Sequence, residues 1–368
     1  MKLRTVFLSL LVFFACNSDQ AMDGGNSFSV TTDSLFPVDT IGVMMGDSNY
    51  VFGTIADFEP VQGGGVAILD SYTGKVSVFS SDGTFMRSFG RKGSAPGEFQ
   101  YPVKVTFFRS GLYAVQELTM GYVSVFDIDG NFITRWQMGN ELCILPLDVM
   151  AFDDSSFVSY NFSMQFADNH CDVCYSLWRY HAITGEVLSR YFTWTGEANP
   201  STDFCPAYLT AAADGKGKLY VSRIDSDSWM IEIYGESSVA IDTLMQFPER
   251  TRVPIASDSS SVYGIPVVSY MYSNGEVSTQ AKTNLPGEYP LISDLEIGAE
   301  GSIWARRGVS STNIWDVVSS SGEVLGVKHV LPLDSVQDIH LQTFDSSVYA
   351  FNHLSEDFPM IVKLDICD

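Results

Sequence analysis

Short apolar, β-branched and aromatic runs alternate with polar turns along most of this chain, and the runs come in a repeating order. From Val66 to Phe89 the sequence reads VAILDSYTGKVSVFSSDGTFMRSF, and 47 residues later, from Tyr113 to Trp136, it reads YAVQELTMGYVSVFDIDGNFITRW, with nine of the 24 positions identical and no gap. Each copy holds two strand-like runs joined by Asp-Gly, the residue pair that a tight β-hairpin turn favours. An internal repeat of this period marks stacked units that cannot bury their apolar faces alone. No stretch shows sustained helical periodicity, so the pattern predicts an all-β chain.

A four-stranded propeller blade takes about 40 to 50 residues, and the repeat offset falls in that range. Lettering strands A (inner) to D (outer), the first blade has A near Val51–Phe58, B at Val66–Asp70, C at Lys75–Ser80 and D at Thr84–Phe89. The second runs from Val103 to Trp136, the third from Leu147 to Trp194, the fourth from Tyr208 to Phe247, and the fifth opens at Ser293. The sixth offers three strands, the last at Pro359–Ile366, and Ser34–Met44 reads as the missing outer strand, so N- and C-terminal strands share a blade. Such closure leaves no free sheet edge between first and last blades. The segment Pro248–Pro290, with a hairpin signal at Asn274-Gly275, is either an insertion or a seventh blade. The expected fold is a six-bladed β-propeller over residues 34–368, with seven blades as the alternative.

Residues 1–15 carry Lys2 and Arg4 before an apolar run too short to span a bilayer, and Ala15-Cys16 follows. A small residue before cysteine resembles the bacterial lipobox, which implies a lipidated Cys16 at the mature N-terminus; Phe13 and Phe14 depart from its usual pattern. A secretory peptide cut elsewhere is the alternative, although Asp19 disfavours cleavage after Ala21. On the lipoprotein reading Asn17, where an aspartate would signal inner-membrane retention, points to the outer membrane, facing periplasm or exterior, and residues 16–33 form a flexible tether. The full chain has 21 basic and 44 acidic residues, a formal charge of −23, and loss of Lys2 and Arg4 makes it −25. Nucleic acid and anionic lipid surfaces are poor partners for such a chain, which leaves the lipid anchor as its membrane contact.

The stretch FSSDGTFMRSFGRKGSAPGEFQYP, Phe79–Pro102, resembles an NHL repeat with its interblade turn, and PLISDLEIGAEGSIWARR, Pro290–Arg307, is similar to the inner-strand signature of TolB-like propeller lipoproteins of bacteria. That resemblance implies a fold and an envelope location, not a reaction.

In a ring of such blades, B-to-C loops and D-to-A connections lie on one side, here called the top. Ends of B strands there include Asp70, Glu117, Asp225, Arg306 with Arg307, and His353, a candidate polar binding centre for a peptide, glycan or partner protein. Cys143, Cys171, Cys174 and Cys205 fall on the same side and are expected to form disulfides, a four-cysteine zinc site being the weaker alternative. Cys367 reads as a terminal thiol outside that set, and His170 precedes the Cys171–Cys174 pair, which disfavours a c-type haem. No G-x-S-x-G, H-E-x-x-H or P-loop motif occurs. The expected role is therefore non-catalytic binding; the competing class is a calcium-dependent propeller hydrolase, lactonase-like, or a lyase, with Asp70, Glu117 and Asp225 as calcium ligands.

Overall fold

The computed structural model describes residues 31–118, 121–138, 143–167, 170–197, 209–223, 226, 228–245, 272–273, 276–277, 291–308, 313–330, 339–344, 346–352 and 359–366. Strand β1 (Thr31–Ile41) precedes the first blade, formed by β2 (Ile55–Val61), β3 (Gly65–Asp70), β4 (Lys75–Phe79) and β5 (Phe85–Phe89). The second blade is β6 (Pro102–Phe107), β7 (Tyr113–Glu117), β8 (Tyr122–Phe126) and β9 (Phe132–Gln137). The third is β10 (Cys143–Ala151), β11 (Ser156–Ala167), β12 (His170–His181) and β13 (Val187–Glu197), and the fourth is β14 (Leu209–Ala213), β15 (Leu219–Arg223), β16 (Met230–Tyr234) and β17 (Ala240–Met245). A two-residue pair, β18 (Tyr272–Ser273) with β19 (Glu276–Val277), is what is described of the predicted insertion. The fifth blade is β20 (Ile292–Ile297), β21 (Ile303–Arg307), β22 (Ile314–Val318) and β23 (Val324–Val330), and β24 (Ile339–Phe344), β25 (Ser347–Asn352) and β26 (Ile361–Ile366) begin the sixth.

The sixth blade is completed from the other end of the chain. Strand β1 pairs antiparallel with β26 from Leu35 to Ile41, as the apolar pattern at Ser34–Met44 predicts, and its first half also runs parallel to β23 from Thr31 to Leu35. The parallel contact fuses the fifth and sixth blades into one eight-stranded sheet. Leu35, at the crossover, is fully buried beside Trp315, Val330 and Leu364. The N-terminal strand thus removes two sheet edges at once.

Between blades the alternating apolar positions meet face to face. Ala67, Leu69, Val76 and Phe89 of the first blade pack on Val105, Phe107, Tyr113 and Phe126 of the second, with Phe99 from the connection inserted between them. The Asp-Gly hairpins behave as read: Gly83 and Gly130 adopt φ of 75° and 86°, and the ladder shifts register beside each, between Val78 and Phe79 and between Val125 and Phe126. A residue with positive φ next to a one-residue register shift is the bulged hairpin that glycine serves best.

Candidate functional site

Asp70 and Glu117 occupy matched positions at the ends of β3 and β7, and both turn back into their own blades. Asp70, 1% exposed, accepts hydrogen bonds from the backbone N–H groups of Gly53, Thr54, Tyr72 and Thr73 at 2.9 to 3.4 Å. Glu117, 2% exposed, accepts from the N–H groups of Gln100 and Tyr101, which stand 47 residues beyond Gly53 and Thr54, at 2.6 and 3.4 Å. Its second oxygen pairs with Arg135 at 2.7 Å, and that guanidinium lies over the Tyr122 ring at 4.1 Å. These acids fasten the strand that enters each blade, so neither is presented to a ligand or to calcium.

The other predicted top-face residues are also held within the fold or lie elsewhere. Arg307 forms an ion pair with the buried Asp316 at 2.6 Å, and Arg306 donates to Asn313 at 2.8 Å. Asp225, His353, Cys16, Cys205 and Cys367 lie outside the described residues. Cys171 and Cys174 belong to the long strand β12, not to a loop, because β11 and β12 extend as a continuous hairpin to Ala167 and His170. Cys143 stands opposite Met164 and Cys174 opposite Ser163, so β11 runs between the two cysteines. Two strand spacings amount to about 9.5 Å, more than the roughly 7 Å that a disulfide bridges. Three residues along one strand separate Cys171 from Cys174 by about 10 Å, again too far for a direct bond.

A different set of residues converges on the ring axis. Four inner strands carry a bulge at the same place, between Ile55 and Asp57, Pro102 and Lys104, Pro146 and Asp148, and Ile292 and Asp294. A bulge re-aims the side chain that follows it. Asp57, Lys104, Asp148 and Asp294 therefore form a tier around the axis, completed by Thr210 of β14 and His340 of β24 at the matching ladder positions. One pleat further along the same strands stand Glu59, Thr106, Met150, Ala212, Glu296 and Gln342 as a second tier.

The inner edge of each blade has backbone groups with no neighbouring strand, and the acids serve them. Asp57 accepts the Val105 N–H of the next blade at 2.8 Å. In the second tier Glu59 accepts from the Phe107 backbone and Glu296 from that of Thr343, whose hydroxyl donates in return to the Ile297 carbonyl. Asp57 and Glu59 thus tie the first inner strand to the second blade, and Glu296 ties the fifth to the sixth.

Crowding of these carboxylates sets their protonation. Glu59 and Glu296 are part-exposed and line the axial cavity, whereas Asp57 is buried. Burial, and then the neighbouring Asp57, holds Glu59 well above the usual glutamate range. Burial, followed by Asp294, Asp148 and Glu59, does the same to Glu296. Burial pushes Asp57 up to about 6 although Lys104 opposes it, and pushes Asp294 up to about 6 against the pull of Arg306. Asp148 is raised as well by the protein packed around it, although its side chain keeps 41% of its exposure. Burial pulls the Lys104 ammonium down, but Asp57 and Asp148 more than offset this and leave it raised. Like charges withdrawn from water resist ionising together.

A cavity of about 130 Å³ opens beneath the second tier. Glu59, Asp148, Glu296 and Gln342 give it polar walls, Phe107, Met150 and Phe344 apolar ones, and the turns at Asp214–Lys216 and Gly298–Gly301 form its rim. Arg109 at the mouth stacks on the Phe344 ring, 4.6 Å from its centroid. The mouth lies at the end where inner strands finish, opposite the predicted top face. Among the described residues no three His, Cys, Asp or Glu side chains come close enough to hold a metal ion, and no helix is long and apolar enough to cross a membrane.

Sequence reasoning missed this site although a signal was present: Asp57-Phe58-Glu59 and Asp294-Leu295-Glu296 repeat an acid-apolar-acid triplet in two inner strands.

Residues 22–192 match a family described as "6-bladed beta-propeller". No curated protein matches the sequence. Among solved structures, a member of the DUF4221 family from Bacteroides vulgatus is similar over 92% of this chain and 98% of its own, with 9% identity and a TM-score of 0.50. A putative exported protein from Bacteroides fragilis aligns over 92% of this chain and 100% of its own at 11% identity and a TM-score of 0.49. Virginiamycin B lyase from Staphylococcus aureus aligns over 90% and 99% at 11% identity and a TM-score of 0.43. At such identities a shared fold carries no shared function. The strand order and the family match together establish the chain as a six-bladed β-propeller.

Proposed function

We propose that this propeller is a binding module of the bacterial cell envelope, anchored through a lipidated Cys16, and that it holds its ligand at the axial mouth. The envelope and the anchor rest on the sequence of residues 1–16 alone. The observation that carries the binding site is the cavity lined by Glu59, Glu296 and Gln342 between apolar walls, a concave surface with few convergent polar groups. A peptide side chain, a glycan residue or an exposed loop of a partner protein is of a size to enter it. Asp70 and Glu117, by contrast, spend their hydrogen-bonding capacity on backbone groups of their own blades and, for Glu117, on Arg135.

The test is a thermal-shift screen of peptide and oligosaccharide arrays against the purified protein and against Gln342→Trp, which places an indole in the cavity. Ligands that stabilise the parent and not the tryptophan variant are expected, provided the variant keeps its β-rich circular dichroism. Ligands that bind both equally would move the site away from the mouth. Replacing Cys16 with Ala should shift the protein from the membrane fraction to the soluble fraction, because two acyl chains make a stable anchor.

A further inference from the structure

The upper tier of the channel shows what this ring of acids accepts. The Lys104 ammonium sits between carboxylates of the two flanking blades, 3.6 Å from Asp57 and 3.9 Å from Asp148. The lower tier has the same kind of acids, Glu59 and Glu296, and among the described residues neither forms an ion pair with a lysine or arginine. In the cavity wall, Oε1 of Gln342, an acceptor closed off from water, stands without a hydrogen-bond donor. A buried acceptor without a donor is destabilising, so it is a group that a donor-rich guest would satisfy. Coordination of a bare metal ion is a poor match, since no three ligating side chains of the described residues are close enough to share one. An aromatic surface that already carries a guanidinium, Phe344 under Arg109, completes the mouth.

We propose that the lower tier binds an organic cation, a protonated amine or a guanidinium, whose N–H groups reach Glu59, Glu296 and Gln342 while its methylene stem lies against Phe107, Met150 and Phe344. This rests on the reading of the axial mouth as the ligand site and adds the chemical class of what enters it. The ligand chemistry has two sources, a free diamine-like metabolite or an arginine or lysine side chain of a protein partner. A planar guanidinium suits carboxylates on separate strands because its donors point in fixed, divergent directions.

Titration calorimetry of the purified protein at pH 8 tests this with three probes: agmatine, the pentapeptide Gly-Gly-Arg-Gly-Gly blocked at both ends, and butan-1-ol as the uncharged stem. Agmatine or the peptide is expected to bind, butanol not, and the Glu59→Gln/Glu296→Gln variant is expected to lose tenfold or more in affinity without a fall in its unfolding temperature. Tighter binding of the peptide assigns a protein source, and tighter binding of agmatine a free amine. Absence of binding by both cations, equal binding by butanol, or unchanged affinity in the double variant would overturn the proposal. If in that case uncharged ligands from the array still depend on an unfilled cavity, the mouth remains the site and only the cationic class is lost.

Discussion

The chain buries carboxylates in two regions, and it treats them in opposite ways. At the ends of β3 and β7, Asp70 and Glu117 are withdrawn from water but surrounded by donors, four backbone N–H groups for the first and two plus Arg135 for the second. Around the axis, Asp57, Glu59, Asp294 and Glu296 stand beside one another, the first buried and the other three part-exposed, and their affinity for protons rises. Burial alone therefore does not define a carboxylate's role. Donors make it a fastener; like charges make it a group with unmet demand, as functional sites often are.

The largest effect should come from removing a fastener. Asp70→Ala leaves the part-buried Gly53, Thr54, Tyr72 and Thr73 hydrogen bonds without their shared acceptor and is expected to cost about 2 to 3 kcal/mol. Glu117→Ala adds an uncompensated Arg135 and should cost as much. Urea unfolding measures both. A cost below about 1 kcal/mol for either would collapse the distinction between the two regions.

The axial acids should respond with the opposite sign. Asp57 is raised from 3.8 to about 6, so the folded state holds its proton more tightly than the unfolded chain does. The stability linked to that proton is present in full below about pH 4 and is lost as pH rises through about 6. Asp57→Asn keeps an acceptor for the Val105 N–H, and relative to the parent it should gain roughly 2 kcal/mol between pH 4.5 and pH 8. Glu296→Gln should shift the same way, and its stability difference from the parent should also grow with pH. A flat difference across that range would show that the axial carboxylates are solvated like surface ones.

The smallest effect marks the baseline. Asp82 lies exposed in the first Asp-Gly turn, where the Ser80 hydroxyl and the Thr84 amide lower its proton affinity. Asp82→Asn should change stability by no more than about 0.5 kcal/mol, as surface substitutions do. A larger change would mean that turn chemistry, and not the buried acids, dominates the pH response.

Much of the ring was legible from sequence because its blades are local. The Asp-Gly turns at Gly83 and Gly130 and the apolar run at Ser34–Met44 report hairpins and closure directly, since each depends on residues close in the chain or on simple alternation. Strand directions were legible too, which is why Asp70 and Glu117 were placed at the correct ends of their strands. Their orientation was not: a side chain at a strand end can face the axis or its own entry loop, and the choice depends on amides 16 or 17 residues earlier. The axial site was hidden for a different reason. In Ile55–Val61 and Ile292–Ile297 the acids alternate with apolar residues as on any half-exposed strand, and only the bulges and the closed ring turn that polar side toward an axis. Likewise, the loop expected to carry Cys171 and Cys174 is part of a long hairpin, because Phe162, Tyr175 and Trp194 prolong the apolar pattern past its predicted end.

The contrast between the two regions rests on the protonation of the axial pair, and carbon-13 titration of the glutamate side-chain carboxyls reads it directly. Two resonances, identified by their loss in Glu59→Gln and in Glu296→Gln, are expected to titrate well above the ordinary glutamate range and to shift toward it when either neighbour is replaced. Titration of both within that ordinary range would contradict the account.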